Sequence, residues 1–405
     1  MDYLTQMTKG HSVNDVKIVS LPDACQYIRG LTYNKAQEVD TTTTGAHKVL
    51  RANNITLGAN TLNFEDVKCV AREVVVKDTQ WLRYGDILMC ASSGSQEHVG
   101  KVAFISEALD YTFGGFMAVI RCKEEVLPRY MFHVLTSGLF TGHLKETLKS
   151  NTIKTINAAA INAFSFPLPT LEVQEEIVRI LDEYSEKNAQ LIDALSAELA
   201  ARKVQYEYYR AALLQFDANS SPDAIAWKTL PEICENCDPI RKPVTKRDRK
   251  EGEFPYYGAS GIVDYVDKYL FDGEYLLISE DGANLLARTT PIAFVAKGRF
   301  WVNNHAHVLR FDNKVTQKYI EIYFNMLDLS PFVTSAAQPK LSQGSLNKIR
   351  IPLPSLELQQ RIVSRLEAYE TSYMELIKSI QNEIQLRQTQ YEYYRNKLLT
   401  VRDAN

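Results

Sequence analysis

Pro167-Leu168-Pro169-Thr170-Leu171-Glu172-Val173-Gln174 returns 185 residues later as Pro352-Leu353-Pro354-Ser355-Leu356-Glu357-Leu358-Gln359. The match runs without a gap to Leu214 and Leu399, with 22 of 48 positions identical. Both copies close on Gln-Tyr-Glu-Tyr-Tyr-Arg (Gln205 to Arg210, Gln390 to Arg395). An internal repeat decides architecture before local propensities do. A long unit present only twice predicts internal pseudo-two-fold symmetry rather than a solenoid.

Each copy reads as a long helix. Apolar or aromatic residues fall at 177, 181, 184, 191, 195, 199, 206, 209 and 213, with Asn188 and Arg202 filling gaps in the series. The second copy gives 362, 366, 369, 373, 376, 380, 384, 391, 394 and 398, with Arg387 filling the gap that Arg202 fills in the first. Alternating steps of three and four make a coiled-coil seam, and one extra step of four places a stutter at the same point in each. Neither helix interior holds Gly or Pro, so a helix from about 171 to 214 spans roughly 65 Å. The Pro-Leu-Pro segment before it is extended, because residues preceding proline avoid the α region. A seam needs a partner, and the other copy carries the matching one. Symmetry then favours antiparallel helices.

The regions between the helices are mixed α/β and echo each other faintly. Leu21-Pro22-Asp23 matches Leu230-Pro231-Glu232, and Gly85-Asp86-Ile87-Leu88 matches Gly273-Glu274-Tyr275-Leu276. Tyr130 matches Tyr319, and Ile161-Asn162 matches Leu346-Asn347. The repeated object is therefore a domain plus a helix. The expected segments are a first domain over 1–166, a helix over 167–216, a second domain over 217–351 and a closing helix over 352–405. Phe216 to Ala226 reads as a linker between the two repeats.

At 405 residues the chain is long enough for two or three domains. Met1 to Asn14 is polar and lacks the apolar centre of a signal peptide, and six scattered cysteines show no framework spacing. A cytoplasmic chain with reduced thiols is expected. The net charge of −3 decides little, because residues 167–216 alone carry nine acids against five bases. A near-neutral domain still binds nucleic acid if its bases share one face.

The twice-present [Phe/Ile]-Pro-Leu-Pro-x-Leu-Glu-x-Gln-x-x-Ile-Val (Phe166 to Val178, Ile351 to Val363) resembles the specificity subunits of type I restriction-modification systems. So do the Gly-Asp-Ile-Leu strand with nearby Gly94, and Tyr256-Tyr257-Gly258-Ala259-Ser260-Gly261. The resemblance covers nearly the whole chain. It implies an α+β fold: two mixed α/β target recognition domains joined by two long antiparallel coiled-coil helices. It also implies a subunit without catalysis of its own. Each domain would read one half of a bipartite, asymmetric double-stranded DNA target, while the helices set spacing and hold two modification subunits. Those partners would methylate adenine with S-adenosylmethionine. Two restriction subunits, using ATP and Mg, would join them.

Base reading needs side chains with paired donors and acceptors, or Arg and Lys set against guanine. The first domain offers Thr42, Thr44, Lys48, Arg51, Asn53, Asn54, Ser93, Ser95, Gln96, Lys101, Lys149, Asn151 and Lys154. The second offers Arg241, Lys242, Lys246 and Arg247 in a basic run suited to phosphates. To these it adds Tyr257, Ser260, Asn284, Arg288, Asn304, His305, Gln338, Lys340 and Ser342. Lys154 and Lys340 lie at similar repeat positions just before the Pro-Leu-Pro strands. Tyr206, Tyr209, Tyr391 and Tyr394 fall on the seam, whereas Tyr208 and Tyr393 fall off it as candidate partner contacts.

Cys234-x-x-Cys237 with His305 and His307 makes only a weak zinc signal, lacking a second ligand pair at finger spacing. No phosphate-binding G-x-x-x-x-G-K-[ST] or G-x-G-x-x-G occurs, and no Asn-Pro-Pro-Tyr of adenine methyltransferases. Phe113-Gly114-Gly115-Phe116 reads as a tight turn. A coiled-coil scaffold that binds only protein, and a self-sufficient DNA-modifying enzyme, are the alternatives.

Overall fold

The computed structural model describes residues 16–147, 154–216, 225–334 and 338–400. The chain divides into two compact units that do not follow chain order. Unit 1 takes Met1–Leu195 with Gln381–Asn405, and unit 2 takes Ser196–Ile380. The cut passes through both long helices, Leu171–Leu214 and Leu356–Leu399. It crosses the segments expected from sequence at the helices.

In unit 1 a four-stranded antiparallel sheet has the order Cys25–Arg29, Met117–Cys122, Ile87–Cys90, Val102–Phe104. In unit 2 the corresponding order is Glu235–Asn236, Ala306–Arg310, Phe271–Ser279, Ala293–Val302. The two sheets share one topology, so the faint echoes in sequence were echoes of a fold. The segment inserted after the first strand differs between the units. Unit 1 folds it into a second four-stranded sheet that holds Glu38–Val39, Lys68–Val70 and His47–Leu50. Unit 2 forms the hairpin Phe254–Gly258 and Gly261–Val266, which extends its main sheet.

Alternation along the central strands explains the layers, since successive side chains point to opposite faces. Ile87 and Met89 join Tyr130, Phe166 and Ile177 on the helical side, whereas Leu88 and Cys90 join Leu50 and Phe113 on the other. In unit 2, Leu276 and Ile278 pack with Tyr319, Ile351 and Ile362, while Leu277 packs with Phe300 and Val308. A sheet covered on both faces needs unbroken apolar strands, as Ile87-Leu88-Met89-Cys90 supplies. Gly30 crosses the turn at Gly114 so closely that a Cβ on it would sit 2.1 Å from the Gly114 carbonyl oxygen.

The repeated Pro-Leu-Pro motif is a strand and a clamp. Ser165–Leu168 pairs antiparallel with Lys17–Ser20, as Ile351–Pro354 pairs with Ile225–Lys228. Tyr130 donates its hydroxyl to the Pro167 carbonyl at 2.6 Å, and Tyr319 repeats this on Pro352 at 2.7 Å. The motif glutamines are buried in the first turn of each helix. Gln174 donates to the carbonyls of Pro169 (2.8 Å) and Glu125 (3.0 Å) and accepts from the Leu127 amide (2.9 Å). Gln359 donates to Pro354 (2.7 Å) and accepts from the Thr316 hydroxyl (2.8 Å).

Within each unit the helix segments run antiparallel. In unit 1, Ile177 and Leu181 share a core with Leu398, while Ser185 donates to the Tyr391 hydroxyl at 2.8 Å. Tyr184 stacks on Tyr391 with ring centroids 5.7 Å apart. In unit 2, Tyr206 stacks on Tyr373 at 5.0 Å and Tyr209 on Tyr369 at 5.6 Å. These tyrosines hold the seam positions expected of them. No helix among the described residues is long and apolar enough to cross a membrane.

Because each clamp replaces water with paired main-chain groups, its loss leaves buried polar atoms unpartnered. Gln174→Leu is expected to destabilise the chain by about 3 kcal/mol and Tyr130→Phe by about 1 kcal/mol, measured by urea unfolding.

Candidate nucleic-acid interface

In each unit some of the polar loops meet just beyond the C-terminal end of the central strand. In unit 2 the main chain closes them together. Glu280 donates its amide to the His305 carbonyl (2.9 Å) and Gly282 to Pro339 (3.0 Å), while Leu341 donates to Glu280 (2.7 Å). In unit 1 the Ile156 amide reaches the Ala91 carbonyl at 2.8 Å, and Lys154 pairs with Ser93 across a short antiparallel ladder. Lys340 pairs with Asp281 in the equivalent bridge of unit 2. The two lysines thus occupy matching strands, one residue out of register.

A buried ionic network stiffens the unit 2 cluster. His307 is fully buried between the Asp238 carboxylate (2.7 Å) and the Leu341 carbonyl (2.8 Å). Arg241 bridges Glu280 at 2.6 Å and Asp238 at 3.3 Å, and donates to the Ala306 carbonyl at 2.7 Å. Lys340 reaches Glu280 at 3.1 Å, and exposed His305 reaches Asp281 at 2.8 Å. Burial pushes the Asp238 carboxyl up, but the hydrogen bond and charge of His307, the Val308 amide and Arg241 outweigh it and hold it below the ordinary range. Glu280 behaves alike: burial opposes ionisation, and Arg241, His307 and Lys340 overcome it.

Several residues chosen for DNA contact therefore spend their polar groups inside the fold. Arg241 is one. Arg288 is another: its guanidinium caps the end of helix Lys314–Met326 through the Phe324 (3.2 Å) and Leu327 (2.5 Å) carbonyls. It adopts a left-handed φ of 53° to do so. Asn284 ties its own loop to Thr290, and Ser342 caps the following helical turn by accepting from Ser345. Tyr257 packs half-buried against Phe294 and Phe300. In unit 1, Asn54 is fully buried and bonds the carbonyls of Asn63 and Asp66, so it shapes the loop and offers no surface to a base. Arg51 (2.7 Å) and Asn53 (3.1 Å) both grip Asp66. Lys101 donates to the Ile55 carbonyl at 2.6 Å, and burial lowers its pKa.

Other candidates remain at the surface. Thr44, Lys242, Lys246, Arg247, Ser260, Asn304 and Gln338 are exposed. Thr42 turns its hydroxyl to Asp40, Lys48 lies over the Tyr111 ring, and Ser95 contacts Glu97 from an exposed turn. Ser93 accepts from the Ser95 amide at 3.2 Å. Gln96 lies on a short helical turn. Lys149 and Asn151 fall outside the described residues, as does most of the expected linker. The sequence reading missed the carboxylates: Asp66, Asp238 and Glu280 organise the loops, and nothing in their spacing announced it. In the Cys-x-x-Cys run, Cys234 donates to the Leu230 carbonyl at 3.2 Å, and burial pushes its thiol up to about 12.

Tyr208 and Tyr393 lie off the seam and stay exposed, at 68% and 58%. Each stands edge-on to the next tyrosine, Tyr209 or Tyr394, at 5.6 and 5.4 Å. Val204 and Leu386 extend the two apolar faces along their helices and are also exposed.

The fold is that of a doubled sheet-and-helix protein, with loop clusters that differ in detail between its two units. The family model for the type I restriction modification DNA specificity domain matches residues 14–201 and 223–386, and the chain belongs to that family. The EcoprrI specificity subunit of Escherichia coli is 33% identical over 208 residues, covering 51% of this chain and 50% of that one. The StySPI specificity subunit of Salmonella potsdam is 25% identical over 378 residues, covering 84% of this chain and 79% of its own. The chain thus spans about half the length of some of the relatives it matches and about nine tenths of others. A chain from a structure of the complex assembly and conformational transition of the type I R-M system superposes with a TM-score of 0.75 at 16% identity, covering 95% and 97% of the two chains. At that identity the likeness is one of fold.

Folding holds Asp238 and Glu280 below ordinary carboxyl pKa values, so their stabilisation is complete above about pH 4 and is lost as pH falls through their folded-state values. Asp238→Asn removes the nearest carboxylate from buried His307 and one of the two from Arg241, and is expected to cost about 3 kcal/mol at pH 7. It should also flatten the acid limb of stability below about pH 4, measured as urea midpoints against pH.

Proposed function

We propose that the chain is the non-catalytic, DNA-reading subunit of a type I restriction-modification complex. Its two recognition units each read one half of a bipartite, asymmetric double-stranded target. The observation that carries this reading is the repeated topology with unlike insertions. A common scaffold places a polar loop cluster at the end of the same central strand twice, and the residues filling the two clusters differ. Two related readers with different surfaces suit two unlike half-sites, because half-site spacing mirrors protein geometry.

The division of labour follows from the same features. Lys242, Lys246 and Arg247 are exposed bases on the unit 2 insertion, suited to phosphates, whereas Arg241 and Lys340 brace the loops that carry base-reading side chains. Tyr208 with Val204, and Tyr393 with Leu386, offer one apolar patch in each unit to two modification subunits. S-adenosylmethionine belongs to those partners, as ATP and Mg belong to any restriction subunits.

Incubation of the purified chain with DNA and S-adenosylmethionine should give no methyl transfer until a modification subunit is added. Transfer by the chain alone would show a self-sufficient enzyme. Affinity for target DNA should fall steeply with salt; a flat dependence would favour the protein-only scaffold. Lys246→Ala with Arg247→Ala should weaken binding to all sequences alike and reduce the log–log salt slope by about 2. Tyr208→Ala or Tyr393→Ala should leave DNA affinity unchanged while weakening capture of one modification subunit by about 2 kcal/mol, read by native mass spectrometry of the assembled complex.

A further inference from the structure

Cys25 begins the first strand of the unit 1 sheet and Cys122 ends the strand beside it, and the two are register partners. Their sulfurs lie 3.7 Å apart. The Lys123 amide bonds the Ala24 carbonyl, and the Gly30 amide bonds the Met117 carbonyl. Bonding alternates along an antiparallel ladder, so these bonds make Ala24–Lys123 and Gly30–Met117 hydrogen-bonded pairs. Cys25–Cys122 is then a non-hydrogen-bonded pair, the kind whose Cα atoms approach to about 4.5 Å. That separation lies within the range a disulfide bridges, so no main-chain movement is required.

Exposure assigns the two thiols different parts. Cys25 is 2% exposed, beyond the reach of any dissolved oxidant, while Cys122 is half-buried with surface open to solvent. Cys25 donates its S–H toward the Cys122 sulfur, and the Lys123 ammonium stands close by, held to the Pro22 and Asp23 carbonyls. Cys122 is thus the more accessible residue of the pair, and Cys25 the one shielded from solvent.

We infer that Cys25 and Cys122 form a peroxide-oxidisable pair that closes a cross-strand disulfide in the first recognition unit. The Cys122 thiolate attacks hydrogen peroxide, the O–O bond breaks, and hydroxide leaves with Cys122 as a sulfenic acid. The Cys25 sulfur then attacks the Cys122 sulfur, expelling its hydroxyl as water. The sum is two thiols and one peroxide giving one disulfide and two waters. The bond would fasten the start of one central strand to the end of its neighbour, at the point where the polypeptide leaves for helix Pro128–Thr136.

The test is peptide mapping of the full chain after peroxide treatment, with remaining thiols alkylated under denaturing conditions. The expected product is a linked peptide pair containing Cys25 and Cys122, with both lost from the alkylated pool and both restored by dithiothreitol. Cys122→Ser, checked for unchanged far-UV circular dichroism, should abolish the link and leave Cys25 fully alkylated after the same exposure. Three results would overturn the inference: Cys25 alkylated in the oxidised wild type, Cys122 halting at sulfinic acid, or Cys25 still lost in the Cys122→Ser chain. The Cys234–Cys237 pair serves as an internal comparison, since it oxidises or not independently of this link.

Discussion

Gln174 and Gln359 meet main-chain groups where a strand turns into a helix and no water enters. Each carboxamide both gives and receives, so neither a charged nor an apolar side chain of the same length would satisfy the site. Tyr130 and Tyr319 take up the remaining proline carbonyls from the domain side. The direction in which each long helix leaves its domain is thereby fixed by hydrogen bonds, which tolerate less angular play than apolar packing. Seam tyrosines then stack from that fixed start.

That dependence explains why the repeated sequence is concentrated where it is. The motif Pro-Leu-Pro-x-Leu-Glu-x-Gln carries the strand, the turn and the clamp in eight residues, and its partners elsewhere are single tyrosines, main-chain groups and the Thr316 hydroxyl. The sheet needs only apolar residues of suitable alternation, which many sequences provide, and the insertions need only begin and end in place. Divergence is cheap there, and a difference between the two insertions is what an asymmetric reader requires.

The fold was largely legible because its signals are periodic: a seam with a stutter, a repeated motif and alternating strands. Even the weak Tyr130–Tyr319 echo proved to mark equivalent bonds. The candidate interface was legible as loops but poorly as residues. Lys154 and Lys340 were legible as similar repeat positions, and each pairs at the end of its central strand. Arg241, Arg288 and Asn54, by contrast, looked free in sequence because a side chain's partner in a loop cluster lies at no fixed spacing. Arg241 meets Glu280 39 residues away and Arg288 meets Leu327 after another 39. Charge composition cannot distinguish a base that faces solvent from one that holds a loop.

The cut through both helices bears on synthesis as well as on shape. Unit 2 is one continuous stretch, Ser196–Ile380, whereas unit 1 is completed by Gln381–Asn405. A ribosome releasing the chain from its N-terminus therefore delivers everything unit 2 needs before it delivers the last piece of unit 1. Leu398 and Leu399 share a core with Leu21, Ile177 and Leu181, a closure over nearly the whole polypeptide. The half made first is finished last, and a message cut short near its end would still encode all of Ser196–Ile380 while lacking the last piece of unit 1.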